Sequence, residues 1–403
     1  MQNQKRSQLE FVVLMAALMS IVALSIDAVL PALPKIGEYL SSVNETENQK
    51  LITAIFLGLG FGQLIFGPLS DSFGRKPMVY FGFGVFVIAS IICITTRNFE
   101  MMLFGRVLQG VGLSSPRTMS TAIVRDSYSG DHMAKILSIV TMTFILVPVI
   151  APMLGQFLLN HFGWHSIFTV NLAFGLLVML WFWRRQPETL HEKYQKTFKL
   201  SNFKSGVTTF FRIKSAIVYT LLSGLITGSF MVYLSTSQHI FQVQYNLGDL
   251  FPYIFASLAI TIGLATFLNS AIVIRFGMWN LVNIALIAFV VNALIYVILF
   301  WSGVNPPIEV LMVFLMLQFA SVAFLFGNYR ALAMEPMGHI AGVGAALNGF
   351  ISTVMAVPIA NFIGSFIKTS VLPLFIGFLV TGVIGLILFY SVKKPVRENL
   401  NKV

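Results

Sequence analysis

Charge is what this chain has least of. Of its 403 residues, 10% are Asp, Glu, Lys or Arg, against 57% hydrophobic. A soluble domain carries roughly 25% charged residues. So little charge cannot cover a surface that faces water, but it can cover one that faces lipid. Cysteine is nearly absent as well: Cys93 stands alone. That excludes an intrachain disulfide, and within its apolar run the thiol reads as a small packing group. Catalytic motifs are missing. There is no His-Glu-x-x-His and no Gly-x-Ser-x-Gly, and the six histidines are scattered. No Gly-x-x-x-x-Gly-Lys-Ser/Thr loop is present and there is no room for a nucleotide domain, which disfavours an ATP-driven pump. The chain is not read as an enzyme, and no cofactor or metal is expected.

What is there is length of apolar run. A helix needs about 20 apolar residues to cross a bilayer. Twelve runs qualify, near 11–33, 50–70, 77–95, 100–123, 133–159, 163–184, 213–238, 251–274, 279–302, 308–331, 341–366 and 370–391. Mean hydropathy is +0.83. The first run follows Lys5 and Arg6 like a signal peptide, but it is too long for one and no cleavage site follows, so it reads as an uncleaved first helix.

A net charge of +11 in a soluble chain would suggest nucleic acid. In a membrane chain it is read loop by loop. Of 26 Lys and Arg, 20 fall on the side of the amino terminus. They include Arg75, Lys76, Arg125, Lys135, Arg275 and Arg330, then Lys193, Lys196, Lys199 and Lys204 in the central loop, then Lys393, Lys394, Arg397 and Lys402 in the tail. Four fall opposite: Lys35, Lys50, Arg97 and Lys368. Arg106 and Arg117 lie inside the fourth run. This bias predicts that both termini and the central loop face the cytoplasm.

Six runs, a basic loop and six more runs make a plan of two halves, 1–184 and 213–403, joined by a connector at 185–212. Echoes support a duplication. Gly74 and Gly277 are 203 positions apart, Arg125 and Arg330 are 205 apart, and Pro152 and Pro358 are 206 apart. In the connector, Phe198, Leu200, Phe203, Val207, Phe210 and Phe211 sit among lysines. Two readings fit: a helix lying on an anionic membrane surface, or a solvated tether. The runs Gly58-Leu59-Gly60 and Gly342-Val343-Gly344 lie in apolar segments and read as packing sites.

The second and third runs are joined by Gly67-Pro68-Leu69-Ser70-Asp71-Ser72-Phe73-Gly74-Arg75-Lys76-Pro77. Gly74 suits a tight turn, and Asp71 can latch to Arg75 and Lys76 or to a helix end. The segment resembles the signature loop of the major facilitator superfamily, with Ser72 where that family usually has Arg. Arg106 to Gly112 resembles the family's fourth helix. Pro148, Pro152 and Gly155 lie in a segment similar to its antiporter helix, with Ala151 and Gln156 in place of two glycines. Leu24 to Pro34, Ala122 to Asp126 and Gly163 to Phe168 look like the Bcr/CflA drug-resistance branch, with Ile26 and Val29 in place of Thr and Tyr. The resemblance covers nearly the whole chain. It implies twelve helices in two six-helix bundles, an all-α membrane fold, with a loop around Asp71, Gly74, Arg75 and Lys76 that locks one state. It also implies proton-driven export of small molecules.

The residues themselves add the chemistry. Asp27 is the one acid placed well inside the hydrocarbon. An ionised carboxylate there costs several kcal/mol unless paired, so a functional role is the default. Burial favours the neutral acid, as a proton carrier needs. It lies roughly 10 Å deep and Arg106 roughly 9 Å deep, on antiparallel helices. Arg106 either approaches ionised Asp27 and releases it on protonation, or bonds carbonyls of the first helix. Arg117 is on nearly the same helix face, roughly 16 Å nearer the cytoplasm. It either lines the substrate entrance or snorkels. The second half has no buried acid. Its inward candidates are Tyr219, Ser223, Thr227, Tyr233, Gln238, Gln318, Asn348 and Ser352, a wall of hydroxyls, amides and rings suited to a broad amphipathic pocket.

The resulting expectation is a proton-coupled antiporter that exports amphipathic drugs, phenicol-like or otherwise neutral, zwitterionic or weakly cationic. It would sit in the bacterial inner membrane and work as a monomer, its partners being substrate, protons and membrane lipids, with no nucleic acid. An exporter or facilitator of a metabolite, such as a siderophore or amino acid, is the alternative.

Overall fold

A computed structural model describes residues 7–42, 45–128, 130–190 and 200–392. Outside the described residues lie Lys5, Arg6, Lys193, Lys196, Phe198, Lys199, Lys393, Lys394, Arg397 and Lys402, and so do the side chains of Lys135, Leu200 and Phe203. Twelve long helices run through the described chain, matching the twelve expected runs. The first six are α1 (Gln8–Asp27), α2 (Lys50–Phe73), α3 (Arg75–Thr95), α4 (Phe99–Ser127), α5 (Gly130–Phe162) and α6 (His165–Arg185). The second six are α7 (Lys214–Gln238), α8 (Phe251–Phe276), α9 (Met278–Leu299), α10 (Ile308–Met334), α11 (Ala341–Gly364) and α12 (Leu372–Tyr390).

Ten of these are long and apolar enough to cross a membrane. The described apolar part of α5, Val147–Phe162, is shorter. The remaining helix, α4, is too polar, because it buries Arg106, Gln109, Ser114, Ser115 and Ser120. It can do so because protein surrounds it. Glycines bring backbones together there. A Cβ on Gly58 of α2 would stand 1.9 Å from the Val107 carbonyl oxygen, and one on Gly110 would stand 2.0 Å from that of Ile55. Small residues at such crossings are how membrane helices approach closely. The outward faces are apolar, with Ile274 85% and Phe267 73% exposed, as lipid contact requires.

One of the echoes is visible in the backbone. Gly74 ends α2 and opens α3 at φ +98°, donating its N–H to Ser70. Gly277 does the same between α8 and α9 at φ +79°, donating to Val273. A side chain is strained at these angles and glycine is not. Between the halves, α2 packs along α11 and α5 along α8. Thr53 of α2 donates to Asn361 of α11 at 2.8 Å.

Two sequence expectations are refined. The first helix does not run straight to residue 33. It stops at Asp27, and a short 3-10 turn (Leu30–Ala32) and a helix (Leu33–Tyr39) follow. Pro31 and Pro34 supply no N–H to continue the helix and sit at the starts of those next turns. The connector is not a free tether over its described part. A helix (Leu200–Phe210) buries Phe210 against Ala216, Met337 and Leu347. Removing a Phe ring from water stabilises that docking by about 2 kcal/mol.

Candidate functional site

Asp27 is the last residue of α1 and is 5% exposed. It makes no hydrogen bond or ion pair among the described residues. The turn that follows it, Leu30–Ala32, packs on α7 of the opposite half, where the phenol of Tyr233 lies within reach of its charge. The Tyr233 hydroxyl is buried and has no partner. Its ring is held by Phe319 at 4.5 Å and Phe255 at 6.1 Å.

Arg106 is wholly buried on α4. Its Nε donates to the Leu51 carbonyl of α2 at 3.0 Å. Its Nη1 donates to the Ser25 carbonyl of α1 at 2.9 Å and to Gln109 Oε1 at 2.7 Å. Gln109 passes the bond on to Ser90 Oγ of α3 at 3.0 Å. The guanidinium stands 5.8 Å from the Phe168 ring of α6. Asn171 of α6 donates to Ser25 Oγ. One cation thus ties five helices together just behind Asp27. Of the two sequence readings, the geometry displays the carbonyl bonds, and Nη2 is left without a partner. Gly155 of the Pro148–Pro152–Gly155 segment packs on the same spot: a Cβ there would stand 2.0 Å from the Ala28 carbonyl oxygen.

The other candidates divide. Tyr219 and Ser223 are buried on α7 with unpartnered hydroxyls. Gln318 is satisfied inside the second half: it accepts from Asn292 of α9 and donates to the Phe289 carbonyl at 3.2 Å. Its amide therefore joins α9 to α10. Asn348 of α11 donates to Thr220 of α7 at 2.8 Å. Arg117 is half-buried on α4 and lies within electrostatic reach of Arg330. Arg330 lies near the end of α10, within the run 308–331.

The loop at Gly74 forms its own constellation. Arg75 bonds Asp71 and Ser70 at 2.6 Å through Nη1 and Asp126 at 2.9 Å through Nε. Asp71 also faces the start of α11, where a Cβ on Gly342 would stand 3.7 Å from its Oδ2. A carboxylate is favoured at a helix N-terminus. Lys76 donates to the Trp183 carbonyl at 3.2 Å. Sequence reasoning missed Glu188, which accepts the backbone N–H of Arg75 at 3.0 Å and of Lys76 at 2.9 Å. An acid just past the end of a span, opposite a helix start that lacks a side-chain cap, was the available signal. Ser25 and Asn171 were missed because each reads as ordinary helix content.

Residues 15–360 match the family model for the Major Facilitator Superfamily. The chain belongs to that superfamily. Similar proteins include an uncharacterized MFS-type transporter, YdgK, of Bacillus subtilis, 29% identical over 97% of both chains. A bicyclomycin resistance protein homolog of Haemophilus influenzae is 26% identical over 96% of this chain and 97% of its own. Among solved structures, a D-xylose-proton symporter superposes with a TM-score of 0.74 at 14% identity, covering 95% of this chain and 98% of that one. The fold is therefore the major facilitator fold, and the chain is a multi-pass membrane transporter with bacterial relatives, not an enzyme.

Proposed function

We propose that this chain is a proton-coupled antiporter that exports amphipathic drugs across the bacterial inner membrane by alternating access. Asp27 carries the reading. A passive pore needs no buried acid without a partner, whereas a proton carrier does. Holding a proton there avoids the charge that an unpaired carboxylate would carry at the C-terminal end of a helix. A relative named for bicyclomycin resistance supports drug export.

In this reading the face bearing the connector is cytoplasmic, both termini lie there, and segments 1–184 and 213–403 rock about 185–212 as one monomer in the lipid. A proton from outside neutralises Asp27. When Asp27 gives it up, the unpartnered Nη2 of Arg106 is available to the carboxylate, so charge at Asp27 becomes a pull on α1. Gly155 and its prolines keep α5 tight against the break after Asp27 and seal the route between steps. Cargo enters from the cytoplasm or inner leaflet and meets Tyr233, Tyr219, Ser223 and Arg117. One acid favours neutral, zwitterionic or weakly cationic amphipaths, phenicol-like compounds among them.

The test is proton release from energised inside-out vesicles on adding a panel of such antibiotics. Wild type should release protons and Asp27→Asn should not. Silence of wild type with every compound would sink the antiport reading. An Asp27→Asn variant as active as wild type would move coupling to another group.

A further inference from the structure

We propose that a cleft in the outward face of the first half, walled by α1, α5 and α6, is a binding site for a membrane-dissolved amphipath that carries one hydroxyl or N–H donor on an apolar body. Asn171 of α6 receives the donor. Asp27 is not among the lining residues. The site is therefore separate from the one described above, and it stands whether or not protons drive export.

The cleft has a volume of about 320 Å³. Leu24 and Ala28 of α1 line it between Ile150 and Leu154 of α5 and Val170 and Phe174 of α6. Ile150 is 61% exposed and Val170 38%, so the mouth opens on the lipid-facing surface. Nine of the ten lining residues are apolar, and Asn171 is the tenth. Asn171 is 7% exposed, and its Oδ1 has no hydrogen-bond partner. Turning the amide over does not remedy this. Ser25 gives its own hydrogen to the Ile21 carbonyl at 2.8 Å, so toward Asn171 its Oγ can only accept. Asn171 must present Nδ2 to it, and the amide oxygen is the end left for the cleft.

A buried acceptor left without a donor is a standing penalty. Water does not remove it here, because a buried water needs about two to four polar partners and Asn171 is the one polar residue of the lining. Acyl chains can fill such a space but carry no donor. An apolar molecule with one hydroxyl or N–H meets both conditions. Its size follows from the volume. An apolar cavity of about 150 Å³ takes benzene, so this cleft has room for about two fused rings. Asn171 also holds Ser25, whose carbonyl accepts from Arg106 at 2.9 Å. An occupant thus touches the network behind Asp27 from the lipid side.

The test uses the full chain in phosphatidylcholine nanodiscs with tritiated 1-naphthol as the probe. The competitors are unlabelled 1-naphthol and 1-methoxynaphthalene, which keeps the rings and has no donor. Concentrations are taken in the lipid, so that partitioning cancels. Wild type should bind the probe saturably, and naphthol should compete about fivefold better than its ether, the scale of one neutral hydrogen bond. Asn171→Leu should bring the two competitors level. Val170→Trp fills the mouth from its exposed side and leaves the bond between Asn171 and Ser25 in place, so it should abolish saturable binding whether or not Asn171→Leu folds. No saturable binding by wild type, a preference that persists in Asn171→Leu, or unchanged binding in Val170→Trp would overturn the proposal. Saturable binding in which naphthol and its ether compete equally would assign the cleft to apolar chains at large and overturn it too.

Discussion

Arg106 donates to the Ser25 carbonyl at 2.9 Å, two residues before Asp27, and makes no ion pair with Asp27 itself. The cation is thus fastened to the stretch of backbone that carries the acid. Through Leu51 and Gln109 it also holds α2 and reaches α3. Any movement of the guanidinium toward a newly ionised Asp27 has to give up some of those bonds.

Arg106→Lys should therefore fail although it keeps the charge. An ammonium cannot span the Leu51 and Ser25 carbonyls with a rigid fork. Losing one charged hydrogen bond costs about 2 kcal/mol, which in a chain of this size lowers Tm by roughly 2 °C. Drug-driven proton release should fall at least as far as in Arg106→Gln. A lysine variant with wild-type Tm and wild-type release would show that the fork is not used.

Gly155→Ala tests the contact between α5 and the break after Asp27. The new methyl would start 2.0 Å from the Ala28 carbonyl oxygen, backbone that cannot rotate away. We expect α5 to shift, and vesicles carrying this variant to leak protons without drug. Gly84→Ala is the control, since its Cβ would meet nothing within 4 Å. Equal leak from both variants would remove the argument for a seal.

Most of the fold was legible because hydrophobic length acts residue by residue. Twelve runs became twelve helices. The 203-residue offset between Gly74 and Gly277 became the same turn made twice. The site was legible only where a charge in an apolar run announces itself, as Asp27 and Arg106 do. Partners were not legible, because they depend on which helix faces which. Arg106 found carbonyls, which every residue has. Gln318 looked like a free amide until Asn292 and the Phe289 carbonyl met it.

Glu188 gives the turn at Gly74 a pH dependence. Burial on its own pushes this carboxyl up, but the amides of Leu190, Lys76, Arg75 and Thr189 outweigh it together and hold it below its ordinary value of 4.5. A depressed folded value means that the stabilisation is fully present above the ordinary value and is lost as pH falls through the lower, folded one. Acidification from pH 7 into that range should lower the Tm of wild type more than that of Glu188→Gln. The glutamine should already be less stable at pH 7. Parallel Tm curves would mean that the carboxylate charge contributes nothing.

Tyr233→Phe separates folding from function. The hydroxyl is buried without a partner, and an unsatisfied polar group of that kind costs about 1–3 kcal/mol. The ring contacts with Phe319 and Phe255 survive the change, so Tm should hold steady or rise. Drug-driven proton release should nevertheless fall, because this phenol lies within reach of the charge at Asp27. A hydroxyl kept unsatisfied at rest is available to whatever arrives, whether a cargo dipole or Asp27 itself as the halves approach. If Tm falls instead, the hydroxyl already has a partner in the resting protein, such as a bound water. If Tm holds and proton release is unchanged, Tyr233 contributes only its ring, and Asp27 works without a partner from the second half.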